Sequence, residues 1–268
     1  MSSSPPTLTL EQLGWGSFFA NQLTDEERAG SVPGRIFSVQ RSGVTVVFSG
    51  GSVDLPIGGR WFQREVDARP AIGDWVLLDG ARQTIVRVLA RRSVLRRVAV
   101  GREREVQLMA ANVDIMFLVS SCNEEFNPSR VERYLALALD AGVEPVVVLT
   151  KADLAADADR FVHAVRQLKR DLAVELVDAR DPGTLAGVRA WCRPGQTVTL
   201  LGSSGVGKST LVNSLSGAQV QLTQAAREDD AKGRHTTTQR TLHVLPDGGL
   251  LVTIPACASW RWRTWTCP

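Results

Sequence analysis

The spacing of apolar positions changes character along the chain. Between residues 10 and 27, Leu13, Phe18, Phe19 and Leu23 fall at loose helical intervals, which predicts a short docking helix ended by Pro33 and Gly34. From Arg35 to about Leu95 short β-like runs take over, at 43–48, 74–78 and 84–88, divided by Gly, Asp and Pro turn signals. Several short strands in so little chain predict a small antiparallel barrel of the five-stranded OB type. Beyond it, 113–119 and 145–149 are continuous apolar runs, as expected of parallel strands covered on both faces. Helical stretches at 129–141 and 155–172 alternate with them, so this half reads as an α/β domain.

The strongest chemical signal lies at 202–210, which reads Gly-Ser-Ser-Gly-Val-Gly-Lys-Ser-Thr. It fits the phosphate-loop pattern G-x-x-x-x-G-K-[ST], with an apolar strand (197–201) before it and a helix (209–216) after it. The candidate nucleotide residues are therefore Gly202, Ser203, Ser204, Gly205, Val206, Gly207, Lys208, Ser209 and Thr210. The glycines let backbone N–H groups turn inward around a phosphate, where the helix N-terminus adds partial positive charge. Lys208 would reach the β- and γ-phosphates, and the Ser209 hydroxyl would be a ligand for Mg²⁺.

Thr150, Lys151, Ala152 and Asp153 close the 145–149 strand and resemble the N/T-K-x-D guanine motif of GTPases. An aspartate carboxylate accepts from both the ring N1–H and the exocyclic amine of guanine, which adenine cannot satisfy. Thr150 keeps a hydroxyl where an amide is commoner, and the Lys151 stem would cover the base. A further strand, 172–177, leads to Asp178-Ala179, where a Ser-Ala base-contact loop is usual. The base motif precedes the phosphate loop by about fifty residues, the reverse of the ordinary order. Residues 233–238, Gly-Arg-His-Thr-Thr-Thr, follow in the switch I position, so the motif order is circularly permuted.

Composition adds bounds. With 268 residues the chain has room for about two domains. A net charge of +3 and a pI near 8.9 allow a nucleic-acid partner without demanding one. No apolar run is long enough to span a membrane, and the Ser/Pro-rich start does not have the form of a signal peptide. Cys122, Cys192, Cys257 and Cys267 are scattered, as in reduced cytosolic proteins. Nothing demands more than a monomer.

These motifs together resemble the bacterial ribosome small-subunit-dependent GTPases of the RsgA/YjeQ type. The resemblance runs from about Leu13 to Val252 and includes Pro-Ala-Ile-Gly-Asp-Trp at 70–75 and Ala-Asn-Val-Asp at 111–114. It continues through Asn-Pro-Ser-Arg-Val-Glu-Arg-Tyr at 127–134, the permuted motifs and 233–238. It implies an α/β plus β chain: an N-terminal tail and helix (1–32), an OB-fold RNA-binding domain (33–108) and a permuted GTPase domain (109–252). It further implies GTP hydrolysis with Mg²⁺, cytoplasmic location, and late maturation of the small (30S) ribosomal subunit through contact with 16S rRNA. A threonine among Thr236, Thr237 and Thr238 would close on Mg²⁺ and the γ-phosphate, and the catalytic His235 would position the attacking water.

The family pattern breaks at Thr253-Ile254-Pro255-Ala256, where Asp-Thr-Pro-Gly is expected, and the Trp-rich stretch 257–268 follows. GC-rich codons for that stretch, read one base earlier, give Met-Arg-Glu-Leu-Ala-Leu-Ala-Asp-Leu-Asp-Leu-Pro. The expectation is a frameshifted or truncated tail (253–268) without the family's zinc module or its Zn²⁺ ligands, and weakened nucleotide chemistry. The alternative is a divergent tail whose Trp/Arg alternation stacks on RNA. Arg91, Arg92, Arg96, Arg97, Arg102 and Arg104 crowd the barrel exit and could contact phosphates or form a solvated face. Trp75 reads as barrel core, whereas Trp61 fits either core or base stacking. Two other readings stay open: an OB-fold RNA binder whose nucleotide domain is inactive as a switch, and an ATP-using phosphate-loop protein.

Overall fold

A computed structural model describes residues 8–40, 42–62, 65–98, 106–217 and 241–254. One compact unit runs to Asn112 and takes in Thr241 and Leu242; the other begins at Val113.

In the first unit α1 (Ser17–Ala20) and α2 (Asp25–Gly30) precede β1 (Ser31–Val39), β2 (Gly43–Phe48) and β3 (Gly51–Pro56). Then come α3 (Gly59–Phe62), β4 (Trp75–Asp79), β5 (Ile85–Val88), β6 (Val94–Val98) and β7 (Val106–Ala111). Five strands pair antiparallel in the order β3-β2-β1-β4-β5, while β6 and β7 form a separate antiparallel pair. Ile36, Val46, Trp61, Val76 and Leu78 fill one side of the sheet, and Leu13, Phe19, Trp75 and Leu77 the other. Trp75 and Trp61 are both buried, so both are core residues.

The single helix expected over 10–27 is instead a turn and two short helices. Gly14 takes a φ of +87°, which ends the first turn before Ser17. α2 opens on a reciprocal cap: Thr24 Oγ1 accepts from the Glu27 N–H, and the Glu27 carboxylate accepts from the Thr24 N–H. Pro33 and Gly34 do not terminate a helix but lie within β1. Pro33 pairs with β4 alone, since pairing with β2 begins at Gly34, so its missing N–H costs that ladder nothing. A Cβ on Gly34 would strike the Val46 side chain.

The second unit comprises β8 (Ile115–Ser121), α4 (Pro128–Asp140), β9 (Glu144–Thr150), α5 (Asp159–Leu168) and β10 (Ala173–Leu176). α6 (Ala186–Trp191), β11 (Thr197–Leu201), α7 (Lys208–Ser216), the part of β12 (Thr241–Val244) from His243 on, and β13 (Leu250–Thr253) follow. Five strands are parallel in the order β10-β9-β8-β11-β13, with β12 beside β13. Phe117, Val146, Val148, Val198 and Leu251 of the strands meet Val188, Leu211 and Leu215 of the helices in one core. Met116, Leu118, Val147 and Leu149, which alternate with these along β8 and β9, are buried as well, so the apolar runs read as doubly covered strands have that environment. α5 is shorter than the 155–172 helix expected, because Asp157 accepts from the Arg160 N–H and starts it late.

Candidate nucleotide site

In a parallel sheet every strand ends at the same edge, and ligands bind at that edge. Here β9, β10 and β11 deliver the loops 151–154, 178–181 and 202–207 to it. The base motif and the phosphate loop, far apart in the chain, thus become neighbours.

The phosphate loop starts where β11 stops. A Cβ on Gly202 would collide with the Val119 carbonyl oxygen of β8, so only glycine fits this exit. Gly205 (φ +79°) and Gly207 (φ +89°) adopt left-handed conformations, and Gly207 is the N-cap of α7. Val206 between them is buried and anchors the loop in the core. Lys208 Nζ donates to the Ser203 carbonyl, the kind of interaction a phosphate would replace. Arg130 Nη1 donates to Ser203 Oγ at 3.0 Å. That arginine is placed by the start of α4, where the Asn127 side chain caps the Arg130 N–H and Pro128 opens the helix. Ser209 follows Lys208 in the first turn of α7, with a hydroxyl suited to a hard cation.

Thr150 joins the two motifs. Its hydroxyl is fully buried and lies 2.6 Å from the Val206 carbonyl oxygen and 3.1 Å from that of Ser120. The Thr150 carbonyl accepts from the Cys122 N–H. Lys151 takes a left-handed φ of +57°, turning the chain out of β9 into the 3₁₀ turn Ala152–Leu154. The Ala152 N–H donates to Val177 O at 3.3 Å, which ties this turn to the loop after β10.

Asp153 is exposed, and its carboxylate accepts from Arg180 Nη2 at 2.7 Å. Arg180 also grips Asp178 through Nε and Nη2, each at 3.1 Å. The Arg180 guanidinium hydrogen-bonded to Asp178 holds that carboxyl below its ordinary range. Ala179 next door is buried, and its carbonyl accepts from Ser214 Oγ of α7 at 2.6 Å. Arg180 and Ser214 carry no motif signal, and Arg130 lies in the 127–134 stretch without a site role readable from sequence; only the tertiary fold brings them to the site.

His235, Thr236, Thr237 and Thr238 lie outside the described residues, as do Arg102, Arg104, Cys257, Cys267 and the Trp-rich stretch. Among the described residues no group of three or more His, Cys, Asp or Glu could hold a metal ion. Cys122 and Cys192 are buried, and burial pushes their thiols up to about 11 and about 12. No described helix is long and apolar enough to cross a membrane.

The arginine run divides. Arg91 is not available to a nucleic acid: it forms a bidentate pair with the fully buried Asp74 at 2.6 and 2.7 Å and donates to the Asp67 and Arg69 carbonyls. Arg92 lies over the Phe19 ring, and Arg96 forms an exposed pair with Asp67 at 3.1 Å.

A phosphate loop after β11, a guanine-type motif after β9 and the inverted order of the two define a circularly permuted GTPase. Residues 88–262 match the RsgA GTPase family, and the chain belongs to that family. It is 48% identical over 255 residues to the small ribosomal subunit biogenesis GTPase RsgA 2 of Vibrio vulnificus, covering 95% of this chain and 71% of the relative. The small ribosomal subunit biogenesis GTPase RsgA of Mesorhizobium japonicum is 46% identical over 257 residues, covering 95% and 72%. Among solved structures, YjeQ from Thermotoga maritima superposes with a TM-score of 0.63 at 23% identity, covering 84% of this chain and 75% of that one. YloQ, described as a circularly permuted GTPase, gives 0.62 at 22% identity, covering 87% and 74%. By family membership the chain is a GTP hydrolase that uses Mg²⁺ with its nucleotide.

Proposed function

We propose that this chain is a cytoplasmic GTPase that acts in biogenesis of the small (30S) ribosomal subunit, contacting 16S rRNA, with the subunit stimulating hydrolysis. The functions for which its relatives are named support this reading, and the Thr150–Val206 hydrogen bond carries its nucleotide part. That bond couples base recognition to phosphate binding across the two motifs. Asp153 accepts the guanine edge, and Lys151 covers the base. Residues 202–210 cradle the phosphates, with Lys208 as their cation and Ser209 as the protein ligand to Mg²⁺. Thr236, Thr237 or Thr238 closes switch I, and His235 positions water.

In this proposal residues 33–108 form an OB-type barrel that binds RNA, preceded by the tail and helix at 1–32, and residues 109–252 form the GTPase domain. The antiparallel order β3-β2-β1-β4-β5 supports the barrel. A monomer is the working unit.

One observation favours a second reading, an RNA-binding module with an impaired switch. Thr253 is buried at the end of β13, where the resemblance calls for an aspartate on the Mg²⁺ side. The test is calorimetric titration with GDP, GTP and ADP, followed by subunit-stimulated turnover, for the native protein, Lys208→Ala and Asp153→Asn. The GTPase proposal expects GDP to bind in preference to ADP, Asp153→Asn to abolish that preference, and Lys208→Ala to abolish turnover. Unstimulated native protein that still binds 30S subunits would establish the second reading.

A further inference from the structure

The loop after β10 departs from the usual base-contact loop in a chemically informative way. A serine at position 178 could donate its hydroxyl to the base-reading carboxylate. Asp178 cannot donate and adds a second negative charge beside Asp153. Left alone, two neighbouring carboxylates repel, and the base reader would lose its alignment. Arg180 stands between them, with two N–H groups on Asp178 and Nη2 shared with Asp153 at 2.7 Å. Its backbone N–H also donates to Asp178 at 3.0 Å, so Asp178 sets both the backbone and the side chain of Arg180. The loop is itself held: Thr184 Oγ1 bonds the Asp178 backbone, and Ser214 fixes Ala179.

We infer that Arg180, oriented by Asp178, is the positioning residue that aims the Asp153 carboxylate at the N1–H and 2-amino groups of guanine, taking the place of a donor hydroxyl at 178. The inference rests on the guanine reading of 150–153. A carboxylate oxygen accepts more than one hydrogen bond, so Arg180 and the base share Asp153 rather than compete for it. The Arg180 side chain is 65% exposed, so the pair adds little to fold stability, and its loss reads out in base selection.

The test compares GDP, IDP (which lacks the 2-amino group) and ADP by calorimetric titration of the full chain. Native protein that binds ADP as tightly as GDP would remove the guanine reading itself, whatever Arg180 does. With that reading intact, Arg180→Ala is expected to weaken GDP about five- to tenfold, the net effect of one solvent-screened hydrogen bond. IDP should weaken less, so that the GDP/IDP preference shrinks. Asp178→Ser in the Arg180→Ala background restores a donor hydroxyl and removes the extra charge, and should recover GDP binding to within about threefold. Unchanged or tighter GDP binding by Arg180→Ala would overturn the inference, the second result meaning that arginine competes with the base. An equal loss for GDP and IDP, or no recovery in the double variant, would overturn it as well.

Discussion

Replacing Thr150 by valine removes one hydroxyl and almost no volume. The lost atom is fully buried, 2.6 Å from the Val206 carbonyl, and Val206 occupies the middle of the phosphate loop. A hydroxyl has one proton, so only one carbonyl receives it at a time, and Val206 is nearer than Ser120 at 3.1 Å. Leaving a buried acceptor without its donor costs about 1–3 kcal/mol. Part of that cost falls on the ligand-free fold. The remainder falls on binding, because a nucleotide needs the base motif and the phosphate loop in register. About 1.4 kcal/mol on the binding side is a tenfold weaker GDP affinity. Calorimetric titration with Mg²⁺ and GDP measures it, and thermal melting without nucleotide measures the fold's share. Thr150→Val with GDP affinity within twofold of native and an unshifted melting temperature would refute the coupling.

Two further outcomes follow from ion pairs in the first unit. Asp74→Ala leaves the Arg91 guanidinium without its buried counter-charge, and chemical denaturation should show a loss of about 3–5 kcal/mol; a change below about 1 kcal/mol would show that the pair is not structural. Glu27 is held down to about 2 by its hydrogen bonds from Arg87 and Thr24, against an ordinary value of 4.5. A depressed carboxylate contributes stability above its unfolded pKa and loses it as pH falls through the folded one. Glu27→Gln should therefore melt below the native protein at neutral pH, with the gap closing between about pH 4.5 and 2. A gap that stays constant across that window would exclude the carboxylate as its cause.

Where local signals were sufficient, the sequence expectations and the structure coincide. β2 occupies 43–48 and β11 occupies 197–201, as expected, because each apolar run has glycine or proline punctuation close by. The N-terminal segment misled because the aromatic spacing outweighed Gly14 and Gly16, and because Pro33 usually stops a helix rather than entering an edge-paired position. At Arg91 the arginine run misled for a different reason. A basic cluster looks solvated until tertiary structure supplies a buried carboxylate, and Asp74 lies 17 residues away from Arg91. Thr150 and Val206 are 56 residues apart, so no local pattern could report their bond.

Permutation leaves the site intact because the sheet, not the chain order, defines it. β8 lies between β9 and β11, so the base loop and the phosphate loop flank one central strand whose last residues support both. Val119 of that strand sets the close approach that requires Gly202, and Ser120 sits under the Thr150 hydroxyl. Moving the chain ends changes which loop is made first but not which strand ends are adjacent. The same geometry accounts for Arg130 and Arg180, which come from elements that in either chain order meet this edge. A residue's role here is therefore better read from its strand neighbour than from its distance along the chain. That criterion places Arg180 beside Asp153, 27 residues away, and its partner Asp178 at the end of the strand paired with β9.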